Sequence, residues 1–452
     1  MLKNIKYTST DYYYKFIKSP IIIGTLFLTF SGFLTKIIGF FYRIFLSQVI
    51  KEEGLGIIGL VSPVMGLVHC ICVSGIQTSI TRFVAASKKE NSSSAFTYLF
   101  TGTFISVTLS VFMTYLVFNY APFISREIIK EPRCTPLLQI SALSFPLASL
   151  HCCLNGFFYG CKKTSVPASS MIIEQITRVL TVYFLYSATL KTGANISLSF
   201  VCIGMLMGEF SSAFFSSVML LFKSKKITGS SKKLLSFSKG ISLFSLAFPI
   251  SLNRICISLI SAVETLQLPA KLIASGLSSS EALSVYGIFS GMAFPLIMFP
   301  SALTSAASSL LLPSVSEAQA SGNKSRIKKT IYLTLFICFL LGVTCMFFFF
   351  CFADLLGILL FNNPFAASQI RALAFVCPFL YLSGTLCSIL HGLGKTGITF
   401  IFNLFSITLR LCFVLFIVPN VGFSGYIYGI ICSQIIFDLL IILALRHYII
   451  YN

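Results

Sequence analysis

Ionised side chains stand inside apolar segments of this 452-residue chain, where hydrocarbon would exclude them. Lys36 and Arg43 lie in the first such segment, Glu174 and Arg178 in the fifth, Glu209 in the sixth, Arg254 and Glu264 in the seventh, Arg410 in the eleventh and Asp438 in the twelfth. A charge at membrane depth costs about 2.5–3.5 kcal/mol on insertion scales, so each should face protein or a wet cavity rather than lipid. Lys36 and Arg43 belong to a stripe of small or polar residues, Thr25, Thr29, Gly32, Lys36, Gly39, Arg43 and Ser47, whose steps of three and four put them on one helical face. Ser251, Arg254, Ser258, Ser261 and Thr265 form a second stripe, with Asn253 beside it. Facing each other across a cleft, the two stripes would offer Lys36, Arg43, Asn253, Arg254 and Glu264 to a bound group. Cations in such a cleft suit an anion, and the planar fork of Arg suits a diphosphate. The plainer alternative pairs Lys36 with Glu264 and lets Arg43 reach the outer interface.

The other charges read differently. Glu174 and Arg178 are spaced i, i+4 and can neutralise each other. Glu209 and Asp438 are lone intramembrane acids, candidates for a coupling cation or proton, or for a bond between helices. His69, His151 and His391 share no ligand spacing, and the 15 cysteines sit almost all in apolar segments, where a thiol behaves as a small hydrophobe. No metal or cofactor is expected. Gly392-Leu-Gly-Lys-Thr396 echoes the end of a phosphate loop, but Ile389 occupies the leading glycine position, so a short turn is expected there. No nucleophile elbow or zinc-protease motif occurs, and no enzymatic chemistry is expected.

Long apolar runs must position these residues. With 56% hydrophobic and 10% charged residues, the chain repeats stretches of bilayer length from end to end. The reading is an all-α polytopic membrane protein of about twelve transmembrane helices: 21–48, 55–86, 95–120, 137–159, 165–190, 196–222, 240–268, 283–312, 328–352, 368–392, 396–418 and 422–446. The net charge of +20 follows from the positive-inside rule and needs no nucleic-acid partner. Lys and Arg crowd the N-terminal tail, Lys88 and Lys89, Lys162 and Lys163, the stretch 223–239 and the stretch 324–329. Sparser cations mark the opposite side, so both termini should be cytoplasmic. The expected units are an uncleaved tail (1–20), a six-helix lobe (21–222), a basic linker (223–239), a second six-helix lobe (240–446) and a short tail (447–452). At a constant offset of 232, Ala121, Pro132, Pro146, Gly160, Lys163, Thr164 and Arg178 meet Ala353, Pro364, Pro378, Gly392, Lys395, Thr396 and Arg410. Six spans per half would relate two parallel lobes by a pseudo-two-fold along the membrane normal.

Four stretches carry a family resemblance: Leu34–Phe45, Glu53-Gly-Leu-Gly56, Ser74–Arg82 and Leu311–Asn323. They resemble the stage V sporulation protein B group of the multidrug, oligosaccharidyl-lipid and polysaccharide exporter superfamily, which also holds the lipid II flippase. The resemblance implies two lobes in a V and alternating access for an undecaprenyl-diphosphate-linked saccharide, with membrane lipids and cell-wall synthesis enzymes as further partners. It also implies that Lys36, in Thr35-Lys-Ile-Ile-Gly39, stands where the lipid II flippase has a diphosphate-binding arginine. Arg43 falls one position from that family's next arginine, and Pro295–Pro300 carries no counterpart of its eighth-helix arginine. No room is expected after residue 446 for two further helices, so a lipid groove built from them should be missing or differently made. The expected function is a flippase for a wall or polysaccharide precursor. The alternatives are a multidrug or organic-cation antiporter and a transport-inactive scaffold.

Overall fold

Pro20 opens a helical segment of 50 residues, α1 (Pro20–His69), bent at Lys51, where φ is +56°. The computed structural model describes residues 20–87, 92–193, 196–224, 235–305, 308, 311 and 324–451, and its regular elements are all helical. The tail 1–19, Lys88, Lys89, most of the basic linker and residues 312–323 lie outside the described residues. After α1 come α2 (Gly75–Ser87), α3 (Ser92–Phe123), α4 (Cys134–Ala142), α5 (Phe145–Gly160), α6 (Ser165–Thr192), α7 (Ser199–Ser224) and α8 (Phe237–Ala274). They are followed by α9 (Ser279–Gly287), α10 (Phe294–Met298), α11 (Lys324–Cys351), α12 (Ala353–Phe361), α13 (Pro364–Leu373), α14 (Cys377–Gly392), α15 (Thr396–Cys412), α16 (Val418–Val421) and α17 (Phe423–Tyr451).

Nine helices among the described residues are long and apolar enough to cross a bilayer, and the bent pair α4 and α5 makes ten. One of the nine, Leu26–Ser87, has 62 residues, about 93 Å at 1.5 Å per residue. A hydrocarbon core is about 30 Å thick, so this segment is far longer than one crossing needs, and it bends at Lys51. The 28-residue α6, with Glu174 and Arg178 near its middle, stands where the fifth span is expected.

The repeat read from the sequence has a backbone counterpart. The 16-residue helices α5 and α14 are displaced by 232 at both ends, and each starts with a proline in its first turn, Pro146 and Pro378. The same offset relates Lys130 (φ +61°) to Asn362 (φ +49°), and Lys162 (φ +58°) to Gly394 (φ +73°). Left-handed residues are uncommon outside glycine, so two pairs at one offset mark turns of the same construction. The echo of a phosphate loop at 392–396 is the second of these, a turn between α14 and α15.

Helix α8 ties the halves of the chain together. Near its start Leu243 and Ala247 are buried with Ile80, Val84 and Phe157, and farther on Glu264 is bound by Arg410 of α15. At the other end of the molecule α1 and α9 meet backbone to backbone. A Cβ on Gly287 would lie 1.9 Å from the Glu52 carbonyl oxygen, and one on Gly56 would lie 2.2 Å from that of Leu283. Only glycine permits this seam.

Candidate functional site

Lys36 and Arg43, seven residues apart on one face of α1, line a pocket of about 330 Å³ with Gly39, Phe40, Ser290, Phe294, Pro295 and Phe299. A π-helical turn, Ile288–Ala293, shapes the far wall. The amide N–H of Phe294 bonds to the Phe289 carbonyl, and Pro295 has no N–H to offer, so the Ser290 carbonyl lacks its usual backbone donor. Arg43 fills that need, donating from Nη1 to the Ser290 oxygen at 2.9 Å. Phe33 and Phe40 hold α1 here through Phe299, with ring centroids 6.5 and 5.1 Å away. Lys36 is exposed and has no ion-pair partner among the described residues.

Glu264 is not that partner. It is 2% exposed, and it accepts from Arg410 Nε at 2.5 Å, Arg410 Nη2 at 2.8 Å and the Tyr426 hydroxyl at 3.0 Å. The acid that sequence reading placed beside the cavity cations is a clamp between α8, α15 and α17. Asn253 and Arg254 lie elsewhere on α8, between Ser251, which crowds Gly75, and Ser258, which faces Gly66. Arg254 is exposed and within electrostatic reach of His69. Lys36 and Arg43 thus share one pocket, and Arg254 belongs to a separate contact of α8 with α1 and α2.

A second cluster lies where α5, α6 and α7 pack. Glu174 binds Arg178, as the i, i+4 spacing predicts, and Arg178 also donates to the Gln175 side-chain oxygen at 3.3 Å. His151 Nδ1 lies 3.0 Å from Glu209 Oε2, and ligand atoms of His151, Glu174 and Glu209 all fall within 4.8 Å of one another. Sequence reading set His151 aside because its spacing matches no motif. The available signal was depth: His151 lies nine residues before the end of α5 and Glu174 nine after the start of α6, so antiparallel packing brings them level. Gln175 connects the clusters, because a Cβ on Gly39, between Lys36 and Arg43, would lie 3.3 Å from its Nε2. Asp438 sits apart on α17, 2% exposed, beside Gln434 and without an ion-pair partner among the described residues.

The model of the polysaccharide biosynthesis protein family matches residues 21–319. The chain belongs to that family. Residues 249–416 of this family member also match the MatE model. It is 26% identical over 432 residues to stage V sporulation protein B of Bacillus subtilis (strain 168), covering 94% of this chain and 83% of that one. Its fold is similar to the inward-facing conformation of a multidrug resistance MATE family transporter of the MOP superfamily, with TM-score 0.72 and 15% identity over 92% of this chain and 94% of that one. It is also similar to lipid II flippase MurJ in an inward closed conformation, with TM-score 0.70 and 14% identity over 93% and 87% of the two chains. The protein is therefore an all-α, multi-pass membrane protein with the fold of MOP-superfamily transporters.

Proposed function

We propose that this protein is a non-hydrolytic flippase that carries a diphosphate-linked saccharide lipid from the cytoplasmic to the outer leaflet by alternating access. The process served is cell-wall, spore-cortex or polysaccharide biosynthesis. Twelve crossings, two six-helix lobes and cytoplasmic termini complete this reading. One observation carries it: Lys36 and Arg43 share a pocket in which Lys36 has no carboxylate among the described residues to neutralise it. An anionic cargo supplies the missing charge. An organic-cation antiporter would need an acid here, and Glu264 is already committed to Arg410.

The cluster of His151, Glu174, Arg178 and Glu209 is the proposed coupling site. Arg178 balances Glu174, and Glu209 needs one more positive charge, which a proton on His151 or a bound cation supplies. Its contact with the cation pocket through Gln175 gives cargo and coupling charge a shared wall.

The test uses proteoliposomes loaded with a fluorescent prenyl-diphosphate saccharide and scored by its appearance in the opposite leaflet. Each charge-assisted contact contributes about 1.5–3 kcal/mol, so Lys36→Ala should weaken cargo binding by about tenfold to more than a hundredfold while insertion and folding persist. Lys36→Arg should retain activity. Undiminished flipping by the Lys36→Ala, Arg254→Ala double variant would overturn the reading.

A further inference from the structure

His151 of α5, Glu174 of α6 and Glu209 of α7 converge from three helices, and the packing around them fixes where they meet. Gly204 and Gly208, one turn apart on α7, let its backbone approach α6. A Cβ on Gly208 would lie 3.0 Å from the Glu174 carbonyl oxygen, and one on Gly204 would lie 3.0 Å from that of Arg178. This brings Glu209 beside Glu174. One or two turns from the cluster, buried polar side chains tie the same three helices together. Ser170, four residues before Glu174, meets the Ser212 hydroxyl at 2.5 Å. Ser216 bonds to Ser170 at 3.4 Å and donates at 3.3 Å to Asn155, four residues after His151. Ligands supported in this way keep their geometry.

The donor types select the occupant. His151 offers Nδ1, 3.0 Å from Glu209 Oε2 and 3.9 Å from the Cys152 sulfur. Arg178 takes Oε1 of Glu174, so Oε2 of Glu174 and Oε1 of Glu209 accept no hydrogen bond among the described residues. The Glu174 and Glu209 side chains keep 17% and 20% of their surface exposed, which lets an ion reach them. Carboxylates alone would serve sodium or calcium. An imidazole nitrogen between them, with a thiol at its edge, favours zinc and its neighbours, which take nitrogen, sulfur and carboxylate oxygen, over the hard cations that take oxygen. The atoms of His151, Glu174 and Glu209 lie within 4.8 Å of one another. Ligands of a tetrahedral zinc ion stand about 3.5 Å apart, so the side chains need to close by only about 1 Å.

We propose that His151 Nδ1, Glu174 and Glu209 bind one divalent transition-metal ion of the zinc class. The ion takes the place of a proton on Nδ1, which is released to water, and joins α5, α6 and α7 through a common centre. This names an ion for the cluster assigned to coupling and rests on that reading only for its effect on transport. Binding is measured without transport, so a failure of the flippase reading and a failure of the metal site are told apart.

The experiment is a cobalt(II) titration of the full chain in nanodiscs, followed by the visible bands that are intense for a four-coordinate ion and weak for the hydrated one. One equivalent should give those bands. Zinc should displace cobalt at equimolar concentration, whereas sodium and calcium in about thousandfold excess should not. His151→Gln and Glu209→Gln should each weaken cobalt binding by about tenfold or more. Cys351→Ser and Cys412→Ser, at exposed thiols, should leave it unchanged and so exclude adventitious binding there. X-ray absorption of the zinc-loaded wild type needs no variant, and it should show one imidazole together with carboxylate oxygens. Absence of the cobalt bands in wild type, displacement by sodium or calcium as readily as by zinc, wild-type affinity in both His151→Gln and Glu209→Gln, or a zinc shell without imidazole would overturn the proposal.

Discussion

Replacing Glu264 by Gln preserves the shape of the side chain and removes its charge. In the native fold that carboxylate takes two bonds from Arg410 and one from Tyr426 while only 2% exposed. Its loss leaves the Arg410 guanidinium inside the bundle without a counter-ion. Removing one partner of a buried pair costs about 3–5 kcal/mol, mostly because the remaining charge stays desolvated. Arg410 keeps 25% of its side-chain surface exposed, which places the expected loss at the lower end, about 3 kcal/mol. Glu264→Leu combined with Arg410→Leu removes attraction and desolvation together and should recover most of it, less about 1 kcal/mol for the Tyr426 hydroxyl. Unfolding in mixed detergent and dodecyl sulfate micelles measures these differences. Lys36→Ala, at an exposed position, should stay within about 0.5 kcal/mol of wild type. A Glu264→Gln protein of full stability that had lost transport would show Glu264 working as a cavity acid, and the clamp would be refuted.

Three further outcomes are expected. Gly287→Ala sets a methyl group where the Glu52 carbonyl lies 1.9 Å away, so the α1–α9 seam must part; overpacking should cost about 1–3 kcal/mol, and cysteine pairs across the seam should cross-link less readily than in wild type. Arg133 hydrogen bonds to Glu131, in the loop before α4, hold that carboxyl below the usual carboxylate range. The stability this contributes is present above the ordinary carboxylate pKa and fades as pH falls through the depressed one, so thermal unfolding of wild type should lose more on acidification than that of Glu131→Gln; parallel pH profiles would contradict this. Lys162 holds φ +58° where the second half has Gly394, so Lys162→Gly should be neutral or stabilising by up to about 1 kcal/mol and Lys162→Val destabilising, read in the same unfolding assay.

Much of the fold was legible because its signals are local. Bilayer-length apolar runs, Pro146 with Pro378, and Gly160 with Gly392 each depend on a few neighbouring residues, and the helix ends follow them. The i, i+4 pair of Glu174 and Arg178 was legible for the same reason. Partners distant in sequence were not. Glu264 and Arg410 are 146 positions apart, and the stripe on α8 shows that a face is polar without showing which helix it meets. The repeat relates the two arginines and not their partners: Arg178 finds its acid on its own helix, while Arg410 takes one from α8. The seam of Gly56 and Gly287 has no sequence signature, since glycine occurs for many other reasons.

The most direct test of a diphosphate site at Lys36 is native mass spectrometry of the purified protein with an undecaprenyl-diphosphate disaccharide, run beside the matching monophosphate lipid without sugar. Wild type should retain the diphosphate lipid in preference, and Lys36→Ala should lose that preference by about tenfold or more while its stability stays intact. Equal retention of the diphosphate lipid by wild type and by the Lys36→Ala, Arg254→Ala double variant would contradict it.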